Sequence, residues 1–210
     1  MNKRYKAYAA LVVGLGLFLS ACVGGLRQAT PVTVYDFGLA SGQSMTEGIA
    51  GVALEVRSPP WFDSLGVDYR LAYDDQLRPR EYANARWAAN PGVLLARRLV
   101  QQFGASGVVG DVAAACLLRI DLQEFSQVFD SPTASRGVIQ ARLALVDGKR
   151  RTLVERPVTV AVVAKTPDAR GGVGALVLAV HDFQQVVGAW LAESRVGGAG
   201  LTCRMPGHVS

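Results

Sequence analysis

Few side chains in this 210-residue chain are of a type and spacing that could do chemistry. The three cysteines, Cys22, Cys116 and Cys203, each offer an acylation point, a nucleophile or half of a disulfide. The two histidines, His181 and His208, have no Cys, Asp or Glu partners at zinc-like spacing, and adjacent His181 and Asp182 fall on different faces of a helix. No metal site is expected. The chain contains no G-x-S-x-G, H-E-x-x-H, Walker-type loop or Rossmann glycine fingerprint. Gly171-Gly172-Val173-Gly174 opens a helical pattern but lacks the Lys and Ser/Thr of a phosphate loop, so close packing explains it better than an anion does. Asp74-Asp75 places two carboxylates in a turn, where Asp is favoured for local hydrogen bonding. No nucleophile–base pair is visible around Ser135 or His181, and neither an enzyme nor a cofactor is expected.

The cysteine with the most informative surroundings is Cys22. A basic start (Lys3, Arg4, Lys6), an apolar run ending Leu17-Phe18-Leu19 and the small residues Ser20-Ala21 precede it, which are the parts of a secretory signal peptide. The apolar run is about a dozen residues, short of the ~20 that cross a bilayer. Leu19-Ser20-Ala21-Cys22 resembles a bacterial lipobox. The resemblance implies that Cys22 begins the mature chain, diacylated on sulfur and acylated on nitrogen. Three acyl chains make a stable anchor, because each buried CH2 contributes ~0.8 kcal/mol. Val23, rather than Asp, follows the cysteine, which by analogy with lipoprotein sorting favours the periplasmic face of the outer membrane. Residues 1–21 are thus read as leader, 22–31 as a flexible tether, 32–196 as one domain and 197–210 as a patternless tail.

Three basic residues leave with the leader, so the formal charge of +5 falls by three, to +2. No Lys/Arg cluster interleaved with aromatics suggests nucleic acid. With Cys22 acylated, Cys116 and Cys203 remain, and an oxidising compartment allows them to pair. A buried Cys116 with a free Cys203 is the alternative, and spacing alone does not choose.

The elements follow from periodicity. Strands are expected over Val32–Leu39 and Ile49–Val56, separated by the turn Ser41-Gly42-Gln43-Ser44, with a short helical turn over Trp61–Leu65 after Pro59-Pro60. A hairpin is expected over 67–88, its arms Val67–Tyr73 and Arg80–Trp87. Alternation places Arg80, Tyr82, Asn84 and Arg86 on one face of the second arm and Glu81, Ala83, Ala85 and Trp87 on the other. Asn90-Pro91 is a good N-cap with Pro at the first helical position. The helix it opens stacks Leu95, Leu99 and Phe103 and stops at Gly104. Leu117–Phe129 is a long strand whose apolar phase shifts at Phe125, predicting a bulge near Glu124. Val138–Val146 and Thr152–Val163 form a hairpin across Asp147-Gly148. From Gly172 to Ser194 the period becomes helical, with Val173, Leu176, Val180, Phe183, Val187, Trp190 and Leu191 on one stripe. The sum is an α/β single domain: a mixed, antiparallel-rich sheet covered by two main helices.

The chain also resembles the auxiliary lipoprotein component of ABC-type transporters, the PqiC-like lipoproteins. The resemblance rests on Tyr82-Ala83-Asn84-Ala85-Arg86-Trp87-Ala88-Ala89-Asn90-Pro91, Leu94-Leu95 and Arg98-Leu99-Val100. It continues through Leu122-Gln123-Glu124-Phe125, Phe129-Asp130, Ala134-Ser135-Arg136 and Gly171-Gly172-Val173-Gly174-Ala175-Leu176. It implies a three-layer α/β fold and an envelope lipoprotein without chemistry of its own. The implied partners are an MCE-domain protein, an ABC permease and its ATPase, which move lipid or hydrophobic solute. Whether the domain itself holds lipid stays open. The alternative is a structural lipoprotein supporting assembly of an outer-membrane complex. Tyr82, Asn84, Arg86 and Trp87 form one candidate partner surface and Trp61 with Phe62 a second, since Tyr, Trp and Arg are enriched at binding hot spots. The competing structural reading makes Trp87 core and pairs Arg86 with Asp121 or Glu124.

Overall fold

A computed structural model describes residues 31–39, 52–103 and 116–196. The expected leader, most of the tether, the 41–44 turn, Ile49, Gly104, the tail, Cys22, Cys203 and His208 lie outside the described residues. From Val32 on, the described residues belong to one compact unit, a single α/β domain with one open, mixed seven-stranded sheet and two helices. The strands are β1 (Thr33–Tyr35), β2 (Val52–Arg57), β3 (Gly66–Leu71), β4 (Asp75–Trp87), β5 (Cys116–Ser131), β6 (Ala134–Asp147) and β7 (Thr152–Val163). The helices are α1 (Pro91–Phe103) and α2 (Ala169–Val196), and Pro60–Phe62 makes one 3-10 turn.

The spatial order is β1-β4-β3-β5-β6-β7. One edge of β5 is shared end to end: β2 runs parallel along Cys116–Asp121 and β3 parallel along Gln127–Phe129. The opposite edge pairs with β6 antiparallel along its length. The expected bulge is present as a register shift between Leu122 and Glu124. Prolines mark the borders of the sheet, because a residue without an N–H is tolerated only where no partner needs one. Pro157 sits in the outer strand β7, and Pro79 sits where β4 runs past the short β1, which pairs only with Ala85–Trp87.

Both helices bury their stripes in one continuous core on the same face of the sheet. The described residues therefore form a helix layer on a sheet layer, and the third layer implied by the family resemblance is not among them. The α1 start matches the sequence: the Val93 N–H donates to Asn90 Oδ1 at 2.9 Å, and Leu95, Leu99 and Phe103 are buried. Helix α2 begins three residues earlier than its apolar period suggests. Asp168 supplies the cap, its Oδ1 accepting the Gly171 N–H at 2.7 Å and the Thr166 hydroxyl at 2.8 Å. These bonds, the Gly171 N–H foremost, hold the Asp168 carboxyl below its ordinary value. Although α2 is long and apolar enough to cross a membrane, its stripe from Val173 to Leu191 is buried against the sheet.

Glycine brings α2 onto the sheet. A Cβ on Gly137 would lie 2.6 Å from the Leu176 backbone nitrogen, and one on Gly172 would fall on the Gln127 side chain. Gln127 and Gly137 face each other across β5 and β6, so the helix descends at the one place in the pair where a side chain is missing. Gln127 is fully buried there and satisfied: its Oε1 accepts the Tyr82 hydroxyl at 2.8 Å, and its Nε2 donates to Ser135 Oγ at 2.7 Å. The Gly-rich stretch thus serves packing, in line with the sequence reading.

Candidate functional site

Beyond the bulge, strand alternation sends Phe125 and Gln127 towards the helices and Ser126 and Val128 to the opposite side, which carries no helix among the described residues. On that side β3 presents Asp68 and Arg70, the β3–β4 hairpin folds Leu77 and Pro79 over them, and the 3-10 turn contributes Trp61. A cavity of about 560 Å3 lies between these parts, with Gln123, Glu124 and Ser126 of β5 in its floor. A smaller cavity of about 280 Å3, bordered by Val128, Val138 and Gln140, shares Arg70 and Glu124 with it. The Arg70–Glu124 pair, Nε to Oε2 at 2.9 Å, is therefore the ridge between two hollows of one groove. Arg70 is held in place by a second bond to the Gln76 carbonyl at 3.2 Å.

The charges of the larger hollow do not cancel. Arg70 is matched by Glu124, and Arg80 by Asp74 at 3.0 Å. Among the described residues Glu81 accepts only the Ser64 hydroxyl, at 3.3 Å, and Asp68 has no ion-pair partner. Burial pushes the Asp68 carboxyl up to about 6, with Glu81 and Glu124 adding to the shift and Arg70 opposing it. Ser126 is 1% exposed, and its Oγ has no hydrogen-bond partner. The rim, by contrast, is apolar and open: Trp61 is 71% and Leu77 85% exposed. A negatively charged floor below an aromatic and aliphatic rim is suited to binding.

The residues singled out from sequence separate into two groups. Trp61 stands on the rim of the groove, and its neighbour Phe62 is 4% exposed and packed in the core. Trp87 is 1% exposed and packs edge-on against Phe37 and Phe125 at 5.6 and 5.7 Å. Burial removes Trp87 from any contact surface, whereas Phe62, though core, also lines the larger hollow beside Trp61. The expected face assignment of the second hairpin arm is also corrected. Register jumps from Gly66↔Arg86 to Asp68↔Glu81, and the extra β4 residues turn Tyr82 to the same side as Ala85 and Trp87. Tyr82 stacks on Tyr69 at 4.6 Å and bonds to Gln127. Burial, then Tyr69 and Asp168, raises its phenol above the ordinary value. Asn84 and Arg86 are exposed outside the groove. Neither expected partner takes Arg86, since Asp121 pairs with Arg119 at 3.4 Å and Glu124 with Arg70.

The remaining candidates carry no site. Cys116 is buried and disulfide-bonded, and the two other cysteines, Cys22 and Cys203, lie outside the described residues. His181 is exposed beside Asp182. Ser135 is buried as a partner of Gln127. No group of three potential metal ligands occurs among the described residues. Sequence reasoning missed Asp68, Glu81, Glu124 and Ser126. The available signal was charged residues alternating in β3 beside a strand whose phase breaks at Glu124.

No protein-family model matches the chain, and no curated protein matches it. The fold is similar to that of solved structures. Protein XCC0632 from Xanthomonas campestris, of family DUF330, superposes with a TM-score of 0.65 at 16% identity, over 78% of this chain and 98% of that one. A second crystal structure, of an uncharacterized protein, gives a TM-score of 0.60 at 14% identity, over 77% and 99%. Lipoprotein GNA1162 from Neisseria meningitidis matches at 14% identity over 65% of this chain and 98% of its own, with a TM-score of 0.25. The first two similarities establish a shared fold.

Proposed function

We propose that this protein is a non-enzymatic lipoprotein of the Gram-negative envelope, held by acylated Cys22 at the periplasmic face of the outer membrane. It acts as an accessory component of an MCE/ABC-type system that moves lipid or another hydrophobic solute. The single observation that carries the reading is Leu19-Ser20-Ala21-Cys22 behind a basic and apolar leader. The groove supports a docking role, since it combines an exposed Trp with a charged floor. The ordered sequence blocks from Tyr82 to Leu176 favour the transport system over other envelope roles.

Two measurements on intact cells test this. Cys22→Ala is expected to abolish incorporation of labelled fatty acid and release the protein from the membrane fraction; a variant that stays acylated and membrane-bound refutes the anchor. A photo-crosslinking amino acid at position 61 is expected to capture an MCE-domain protein. Capture of an outer-membrane barrel or secretin with no MCE protein would overturn the transport role and establish the assembly role instead.

A further inference from the structure

We propose that the hollow beneath Trp61 holds a lysine or arginine side chain of an extended, otherwise apolar segment of a partner protein, with the cation against Asp68 and Glu81. The inference rests on the docking role proposed above and specifies the chemistry of what docks.

Three observations point the same way. First, Arg70 pairs with Glu124, and Arg80 pairs through Nη2 with Asp74 while its Nε has no partner among the described residues; Asp68 and Glu81 have no cation of their own there and are left to be neutralised from outside. Second, Ser126 Oγ is buried in the cavity floor with no partner. An unpaired buried hydroxyl costs free energy that an incoming N–H donor would recover. Third, the rim residues Trp61 and Leu77 are among the most exposed large apolar side chains described. An indole at the mouth of an acidic hollow can hold a cation on its face and an aliphatic stem at its edge. The apolar rim distinguishes a protein segment from a free polyamine, which has no apolar flanks to place there. The carboxylates exclude an anionic lipid headgroup by repulsion.

The test uses the full-length acylated protein in detergent micelles and the peptide Gly-Leu-Val-Lys-Val-Leu-Gly, with norleucine and glutamate analogues at the central position. Trp87 and Trp190 are buried whereas Trp61 is exposed, so protection of tryptophan fluorescence from iodide quenching reports occupancy at Trp61. The lysine peptide is expected to protect it, with the norleucine analogue about tenfold weaker, the size of one partly desolvated charge contact. Asp68→Asn is expected to weaken the lysine peptide by about tenfold as well. The Asp68 carboxyl faces Glu81, Glu124 and Arg70 and titrates at about 6, so affinity should fall as the pH is lowered from 7.5 to 5. Equal binding of the lysine and norleucine peptides, or no effect of Asp68→Asn, overturns the proposal, as does tighter binding of the glutamate peptide. Failure here with continued capture of an MCE protein from position 61 would leave the docking role standing and refute only this occupant. Peptide binding without that capture would keep the occupant's chemistry and remove the transport partner.

Discussion

The two faces of the sheet around β5 and β6 are built by opposite rules from adjacent residues. On the helix side, Phe125, Gln127 and Ile139 are buried, and every polar atom of Gln127 is matched. One residue over, on the other side, Ser126 is buried with a hydroxyl that has no partner among the described residues, and Asp68 lies in a hollow without a counter-ion among them. Each unmet buried polar group costs about 1–3 kcal/mol, and the helix side has two of its own among the described residues, Trp87 Nε1 and Gln184 Nε2. What sets the groove face apart is that its unmet groups include a carboxylate and border an open hollow, where they give up some stability in return for binding capacity.

The largest expected effect separates two tryptophans of the same sequence-level promise. Trp87→Ala removes a fully buried indole from between Phe37 and Phe125. It should cost about 3–5 kcal/mol in urea unfolding. Trp61→Ala removes an indole that is 71% exposed, and should change stability by less than about 0.5 kcal/mol while abolishing binding of the lysine peptide, read by calorimetry because the variant lacks the exposed fluorophore. Comparable losses of stability in the two variants would erase the distinction between the faces.

The helix face has a second, smaller vulnerability. A methyl group on Gly137 meets the backbone of Ala175 and Leu176 at 2.7 and 2.6 Å, and a helix backbone cannot rotate away as a side chain can. Gly137→Ala should therefore lift α2 from the sheet at a cost of about 1–3 kcal/mol, read as a lowered unfolding midpoint. Gly148, in the β6–β7 loop, has nothing within 4 Å of its would-be Cβ. Gly148→Ala should stay within about 0.5 kcal/mol of the parent, and a Gly137 variant as stable as that control would show that the close approach is unimportant.

The helix face was also the legible one. Period-2 and period-3.6 apolar patterns located β5, β6, β7, α1 and α2, because each buries one face and the burial imprints its period on the residues. The Asn90 cap and the Glu124 bulge were visible for the same reason: local chemistry suffices to make them. What sequence could not give was the pairing of strands distant in the chain. Thus β2 and β3 both lie beside β5, and β1 lies parallel to the end of β4. The β4 register jump that turns Tyr82 inward depends on that pairing, so alternation misplaces Tyr82; it does put Trp87 on the face of Ala85, which is core, and only the reading of Trp87 as part of a contact surface by residue type fails. The groove escaped notice because its acids come from β3, β4 and β5 and converge only once those strands are neighbours. Even the β6–β7 connection is longer than Asp147-Gly148 suggests. Asp147 Oδ1 accepts the Lys149 and Arg151 N–H groups at 2.9 and 2.8 Å, and Arg150 takes the positive φ of 62°.

The smallest expected effect sharpens the comparison most, because stability and binding should move in opposite directions. The Asp68 carboxyl has an ordinary value of 3.8 and is raised to about 6 by burial, Glu81 and Glu124. The folded state therefore binds more protons than the unfolded state between those two values, and stability is lost as the pH rises through that window. Above it the ionised carboxylate is a standing penalty. Asp68→Asn removes the titration, so its unfolding free energy at pH 8 should exceed the parent's by about 1 kcal/mol once solvent screening of a part-exposed group is allowed for. The gain should shrink to nothing below about pH 3, under both values, where the parent is protonated in both states. The same variant should bind the lysine peptide more weakly at pH 8. A core substitution that unmade a favourable contact would lower stability at every pH, so a variant more stable only at high pH, and weaker in binding there, can arise only from a charge the fold holds against its own interest.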